Sequence, residues 1–506
     1  MIVSERIKKI LVVFLQFFCS FLFVFSLFKI IVCKTSYDFL SIPYIVLLVF
    51  SLTFLVFNLF ISIKNKSSLS YLYLIIVFPL SFLFLFLQLP NQKPDEPHHF
   101  YRAYDIANGN IITNKDENGM SKIEVPIHAL ELNGNTINTY SKLDNSLKEK
   151  TEYDNTISVS STAAGYNFIS YLPNSLGILI GKTLNLNIDI TFYLARLMSL
   201  LFSVFFGYLC LKLLNGVIGE KVFFIYLFNP VLLQQQTAIS GDVLLNALSL
   251  LFICYIFRLM FSKSDLKFKD VIILIVTYAI CISIKIAYFP MILLIFLIPI
   301  KKLLQVSKKN VIPIILLILF SGVFLALSLK NMNYKNEDIY IIDGVNQNEQ
   351  LINVVKNPVS YLITVSNTLN EKGDYYISSF AGKYLNWGDL TVNSGVYVLF
   401  IILLFISPFL DTESKYNLPL KNKLLVLVTL FITINVLFGG VYLQWTPVNA
   451  NIINGIQGRY FIPILFLPLI CMINKKNKVH VNNLWIYVGI LLVNISSIYN
   501  VVNCFI

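Results

Sequence analysis

The chain has 506 residues, 57% of them hydrophobic and 13% charged, with a formal net charge of +12. Soluble domains carry about a quarter charged residues, so a single large soluble core is excluded. A membrane β-barrel fits poorly too, because its strands are about ten residues of alternating polarity, and the spread of Lys among short loops argues against a nucleic-acid partner.

Apolar runs of roughly 18 residues or more recur along the sequence, each able to cross a hydrocarbon core about 30 Å thick. Only helices satisfy their own backbone in that setting, so the expected class is an all-α polytopic membrane protein. Arg6, Lys8 and Lys9 precede the first run, Ile10 to Val32. That run is too long for a signal-peptide core and no small-residue cleavage site follows, so it reads as an uncleaved first helix. Further spans are expected near 39–62 and 70–89, then 188–213, 219–236, 242–261, 269–285, 287–300, 311–329, 394–410, 422–441, 459–474 and 482–502, about 13 in all. The cysteines fall mostly inside these runs (Cys19, Cys210, Cys254, Cys281, Cys471) and show neither disulfide nor zinc spacing.

Positive charge orients the bundle. Lys64/Lys66, Lys263/Lys267/Lys269, Lys301/Lys302/Lys308/Lys309, Lys421/Lys423 and Lys475/Lys476/Lys478 join the N-terminus as basic clusters. By the positive-inside rule all face the cytoplasm, which sends the polar stretches 91–187 and 331–393 outward. Tyr166–Leu184 would break this parity if it spanned, and it holds Pro173 and Asn174. It reads as a helix lying in the outer interface, after a polar excursion at 110–160. The expected organisation is an N-terminal helix pair at 1–66, a core at 67–480 with those two outer loops, and a C-terminal helix at 481–506.

The first candidate constellation runs from Pro94-Asp95-Glu96-Pro97 through His98, His99 and Arg102 to Gly109. Pro at its start and Gly at its end punctuate a helix. His98 and Arg102, four apart, share a face, with Asp95 one turn before. A carboxylate there can take a proton from an acceptor hydroxyl, and Arg102 can grip a phosphate with two parallel hydrogen bonds. The plain alternative is that Asp95 only caps the helix and Glu96 only complements its dipole. Asp95 or Glu96 could also hold a divalent cation as a cofactor.

Three more constellations follow. Ser240-Gly241-Asp242, after Asn229-Pro230 and Gln234-Gln235-Gln236, is either a helix start or a polar wall. Lys285 and Tyr288 sit at the outer end of a span, where a lysine runs against the charge trend; snorkelling is the bland reading and a lipid phosphate the sharper one. Gly455-Ile456-Gln457-Gly458-Arg459-Tyr460-Phe461 brings another outer cation. Arg196, inside a span, needs a partner.

At these residues the chain resembles a large group of bacterial multi-pass membrane proteins catalogued only as a domain of unknown function. The shared pattern is Pro-x-Asp-Glu-x-x-His-x-x-Arg-Ala, then Tyr-x-Pro, Ser-x-Asp, Lys-x-x-Tyr and Gly-x-Gln-Gly-Arg-Tyr-Phe-x-Pro. Here it falls on Asp95, Glu96, His99, Arg102 and Ala103; Tyr171 and Pro173; Ser240 and Asp242; Lys285 and Tyr288; and Gly455, Gln457, Gly458, Arg459, Tyr460, Phe461 and Pro463, over roughly residues 70 to 475. That group is in turn similar to the GT-C glycosyltransferases, which place an acidic pair in a large outer loop after a transmembrane helix. The resemblance implies a GT-C-like bundle whose outer loop carries juxtamembrane helices. It also implies sugar transfer from a polyprenyl-phosphate donor to an extracytoplasmic hydroxyl acceptor, in the cytoplasmic membrane of a bacterium with the site facing outward. Asp95 and Glu96 would be catalytic, and His99, Arg102, Asp242, Lys285, Tyr288, Gln457, Arg459 and Tyr460 would bind donor and substrate. The acidic pair usually follows the first helix and here follows the third, which implies an added N-terminal helix pair. The competing readings are a transporter for a lipid-linked glycan and a non-catalytic scaffold of an envelope-polysaccharide complex.

Overall fold

The computed structural model describes residues 2–34, 42–132, 137–309, 322, 343–412, 414–474 and 478–505. The expected span at 311–329, the start of the second polar stretch and the cations Lys475 and Lys476 lie outside the described residues. Helices α1 (Ile2–Lys34), α2 (Ile42–Lys64) and α3 (Leu69–Phe86) lead into a short juxtamembrane helix, α4 (Glu96–Ala107). After the polar excursion with α5 (Tyr140–Ser146) come α6 (Leu172–Thr183), α7 (Ile188–Leu214), α8 (Glu220–Tyr226), α9 (Pro230–Gln236), α10 (Gly241–Phe261) and α11 (Phe268–Ile284). The remainder is α12 (Ile300–Lys309), α13 (Gln347–Lys356), α14 (Pro358–Phe380), α15 (Ser394–Leu410), α16 (Leu420–Trp445), α17 (Phe466–Met472) and α18 (Asn483–Asn503).

Among the described residues, 7 helices are long and apolar enough to cross a membrane: α1, α2, α3, α7, α10, α16 and α18. The protein is therefore a membrane protein with several apolar helices. Several expected spans are not continuous helices. Residues 219–236 form two short helices separated at Asn229-Pro230, because Pro has no N–H to continue the ladder and Asn229 Oδ1 restarts it, accepting from Val231 N at 2.8 Å and Leu232 N at 3.2 Å. Residues 286–297 run as a 3₁₀ helix around Pro290. Residues 458–472 divide into a 3₁₀ turn, Gly458–Phe461, and α17. Hydropathy registers apolar content but not where the backbone breaks. Irregular backbone at membrane depth survives only inside protein, and residues 217–241 are buried throughout.

The polar excursion is not all-α as expected. It holds a three-stranded antiparallel sheet, with β1 (Asn114–Lys115), β2 (Ser121–Pro126) and β3 (Thr156–Val159) in the order β1-β2-β3. Ile123 pairs with Val159 and Val125 with Ile157, and the alternation along β2 turns Ile123 and Val125 inward. A hairpin of β4 (Tyr384–Leu385) and β5 (Leu390–Thr391) adds a second small sheet.

Helix α6, with 12 residues, is about 18 Å long at 1.5 Å per residue, too short to span. It lies on α7, and a Cβ at Gly177 would stand 2.5 Å from Leu194 O, so the two backbones meet as small-xxx-small pairs do. The N-terminal pair is peripheral: 28% of the α1 window and 22% of the α2 window is buried, against 72% for α3. Buried amides hold it on. Gln16 donates to Ile75 O at 2.7 Å, and Asn58 donates to Gln16 Oε1 at 2.7 Å.

Asn229 caps α9 and also donates to Phe380 O at 2.9 Å, joining the broken segment to α14. Asn229→Ala removes the cap and leaves a buried acceptor unmet, so it should destabilise the chain by roughly 2 kcal/mol. Thermal unfolding in detergent reads this as a lowered midpoint with the fold retained.

Candidate functional site

Arg196 reaches from α7, fully buried, to the end of α3. Its guanidinium donates to Leu85 O (3.2 Å), Gln88 O (2.5 Å) and Leu89 O (3.0 Å), carbonyls at or just beyond the helix end. Helix ends leave such carbonyls without partners. The same group meets Glu96 in a fork, Nε to Oε1 at 2.8 Å and Nη2 to Oε2 at 2.5 Å. Phe192 and Tyr193 lie against it, with ring centroids 4.9 and 5.5 Å away. Glu96 Oε1 also accepts from Ile239 N at 3.1 Å, just before α10. One ion pair therefore positions the start of α4 and the start of α10.

Glu96 is thus turned into the scaffold. Its side chain is sealed from solvent and both oxygens accept hydrogen bonds within the scaffold. Among the described residues no group of three or more His, Cys, Asp or Glu side chains could hold a metal ion. The pairing of Asp95 with Glu96 as a cation site does not fit this geometry, since the two carboxylates are directed to different arginines.

Asp95 takes the opposite course. It stands at the N-cap of α4 in the left-handed region, φ 59°, and makes no side-chain cap bond. That backbone costs about 1 kcal/mol for a residue with a Cβ, and no cap hydrogen bond offsets it. Its side chain is 50% exposed and its Oδ2 lies 3.2 Å from Arg459 Nη2. With Asp95 half-exposed and Arg459 only 10% exposed, the pair contributes on the order of 1 kcal/mol.

From Arg459 the cluster continues through one ring. Arg459 Cζ is 5.6 Å from the Tyr460 centroid and Lys285 Nζ is 3.9 Å from it. Lys285 Nζ then lies 3.9 Å from Asp242 Oδ1. The result is a chain of acid, cation, ring, cation, acid drawn from four segments far apart in sequence. Local structure explains each placement. Lys285 ends α11 in an extended conformation, φ −147°. Asp242 sits in the first turn of α10, where the cap is Ser240, accepting from Asp242 N at 3.2 Å. Gly458 starts the turn bearing Arg459 and packs so tightly that a Cβ would stand 2.3 Å from Phe380 N. Tyr288, buried, donates its hydroxyl to Tyr460 O at 2.7 Å, which holds the turn. Gln457 precedes that turn and is half-buried.

His99 and Arg102 diverge. His99 Nδ1 meets Tyr171 Oη at 2.5 Å, with the Tyr166 ring 5.7 Å away. Burial pushes the imidazole from 6.5 to about 4, against the opposing pull of Asp95 and Asp242 and with help from Arg459 and His98. Arg102, expected at a phosphate, instead ties α4 to the following loop through Asp105 (2.9 Å), Thr113 (2.8 Å), Ile111 O (2.6 Å) and Asn110 O (3.2 Å). Lys93 is an addition that the sequence pattern hides. It is fully buried and donates to Thr237 Oγ1 at 2.9 Å and to Thr237 O. Burial, reinforced by Arg196 and opposed by Glu96, pulls its pKa well below the usual lysine range.

Residues 78–468 match the family described as a predicted membrane protein, DUF2142. That is more than half of the chain, and the protein belongs to this family. No curated protein and no solved structure matches it.

Glu96→Gln should strip Arg196 of its buried counter-charge and cost roughly 3–5 kcal/mol. Asp95→Asn should shift stability by less than about 1 kcal/mol. Thermal unfolding in detergent separates the two. His99 adds a pH signature. Between pH 6.5 and about 4 the unfolded chain binds a proton at His99 that the folded chain does not. Stability should thus fall as pH drops through that window, and His99→Gln should flatten the fall in unfolding curves at pH 5 and pH 7.5.

Proposed function

We propose that this member of the family is a membrane glycosyltransferase of GT-C type. It would move a sugar from a polyprenyl-phosphate donor to a hydroxyl on an extracytoplasmic glycan, lipid or protein, in the assembly of cell-envelope polysaccharide. The observation that carries this reading is the half-exposed Asp95 carboxylate in contact with Arg459, in the same cluster as Lys285. The basic-loop pattern supports an outward-facing site with the N-terminus inside, and the family resemblance supports a bacterial cytoplasmic membrane.

Asp95 Oδ accepts the proton of the acceptor hydroxyl as that oxygen bonds to the anomeric carbon. The bond from that carbon to the donor phosphate oxygen breaks, and the phosphate leaves with the bonding pair. Arg459 and Lys285 neutralise the charge growing on it. One direct displacement inverts the anomeric carbon. Asp242 holds Lys285, and Tyr460 keeps the two cations close to one ring. Glu96 has no part in the proton transfer; with Arg196 it fixes where Asp95 stands.

A second reading rests on the broken segments 220–236, 286–297 and 458–472. Discontinuous helices are also what transporters use around a substrate, so a flippase for a lipid-linked glycan is the alternative. Single-turnover transfer separates the two. With a radiolabelled polyprenyl-phosphate sugar and the reconstituted chain, Asp95→Asn should lower sugar transfer by about 100-fold or more while leaving donor binding in place. Native protein that moves the donor between leaflets but forms no new glycosidic bond would establish the transporter instead.

A further inference from the structure

A second concavity adjoins the cluster. It is an open groove of about 410 Å³ lined by Asp374, Tyr375, Ile377 and Ser378 at the end of α14, Lys383 and Tyr384 at the hairpin, and Tyr397 and Ile401 on α15. Lys383 stands over two rings, 5.1 Å from the Tyr384 centroid and 5.6 Å from that of Tyr397. Tyr375 stacks obliquely on Tyr384 at 5.3 Å. The same end of α14 is the backbone against which Gly458 packs, next to Arg459. The groove thus borders the proposed transfer site through shared backbone.

Its chemistry is graded. Lys383 is half-buried and turned to aromatic faces, while the groove's carboxylate, Asp374, is exposed to water. Tyr397 and Ile401 lie one turn apart on α15, an apolar helix. Val398 and Ile402 on the same helix are exposed, as is Ile377 among the groove residues of α14. A cation, tyrosines and isoleucines side by side in one groove match a phosphate attached to a hydrocarbon chain. A soluble anion would have no use for the apolar wall, and a neutral glycan none for the isolated cation.

We propose that this groove is a docking site for a lipid monophosphate drawn from the bilayer, with its phosphate on Lys383 and the start of its chain along Ile377 and Ile401. The inference rests on the lipid-phosphate part of the functional reading and not on the transfer chemistry. A single cation suits one phosphate, and the groove holds the lipid beside the Arg459 cluster, where a donor arrives or a spent carrier departs.

The test is calorimetric titration of the full chain in detergent with farnesyl phosphate, with farnesol, inorganic phosphate and a neutral oligosaccharide as comparators. Lys383→Gln should weaken farnesyl phosphate binding at least tenfold. Lys383→Arg should stay within threefold of native, as should Lys148→Gln, at an exposed lysine of the polar excursion outside the groove. Farnesol and inorganic phosphate should bind at least tenfold more weakly than farnesyl phosphate. Binding by Lys383→Gln within twofold of native overturns the proposal, as does farnesol or inorganic phosphate equalling farnesyl phosphate. Displacement of farnesyl phosphate by the oligosaccharide overturns it too and makes the groove a glycan site. If binding follows Lys383 but no variant or native chain transfers sugar, the docking site stands and the transferase reading falls.

Discussion

The buried pair of Arg196 and Glu96 is the constraint on which the rest of this site depends. A guanidinium inside an apolar bundle is tolerable only when its charge is matched and its donors are met. Here that requirement does architectural work. Meeting it gathers the carbonyls that end α3, the carboxylate that begins α4 and, through Ile239, the turn that begins α10. Asp95 and Asp242 each lie within a few residues of one of those anchors. The two carboxylates that face Arg459 and Lys285 are set in place by a third that faces Arg196.

Adjacent acids thus divide the labour. Glu96 turns inward and is neutralised; Asp95 is left outward in a left-handed conformation that no cap bond rewards. Strain of this kind persists where neighbouring structure over-determines it, and the neighbouring structure is the Glu96 anchor. The cations show a similar division. Arg196 and Arg102 are spent on carbonyls and carboxylates of the scaffold, whereas Arg459 and Lys285 share a ring and keep part of their charge at the surface.

Much of this was legible in the sequence, for reasons that differ from residue to residue. The membrane class follows from hydropathy alone. Arg196 was legible as a charge needing a partner, because position within an apolar run is a one-dimensional property; its partner, 100 residues away, was not. Asp95, Asp242, Lys285 and Arg459 were singled out as polar residues at the edges of apolar runs, and the fold brings them together. The directions taken by Glu96 and Arg102 were not legible, because residue type and spacing do not tell which way a side chain turns once a helix docks. The four-residue spacing of His98 and Arg102 is real, yet loop carbonyls at Asn110 and Ile111 claim the guanidinium. Lys93 went unnoticed because a lysine at a membrane edge reads as solvated. The breaks at Asn229-Pro230 and around Pro290 were written in the prolines but masked by the apolar average around them.

The measurement that bears most directly on this account is a cryo-electron microscopy structure of the full chain with a polyprenyl-phosphate sugar bound. The account predicts the donor phosphate between Arg459 and Lys285, the Asp95 carboxylate open to the acceptor side, and Glu96 still forked onto Arg196. A phosphate seated away from both cations, or Glu96 swung off Arg196 to meet the donor, would contradict it.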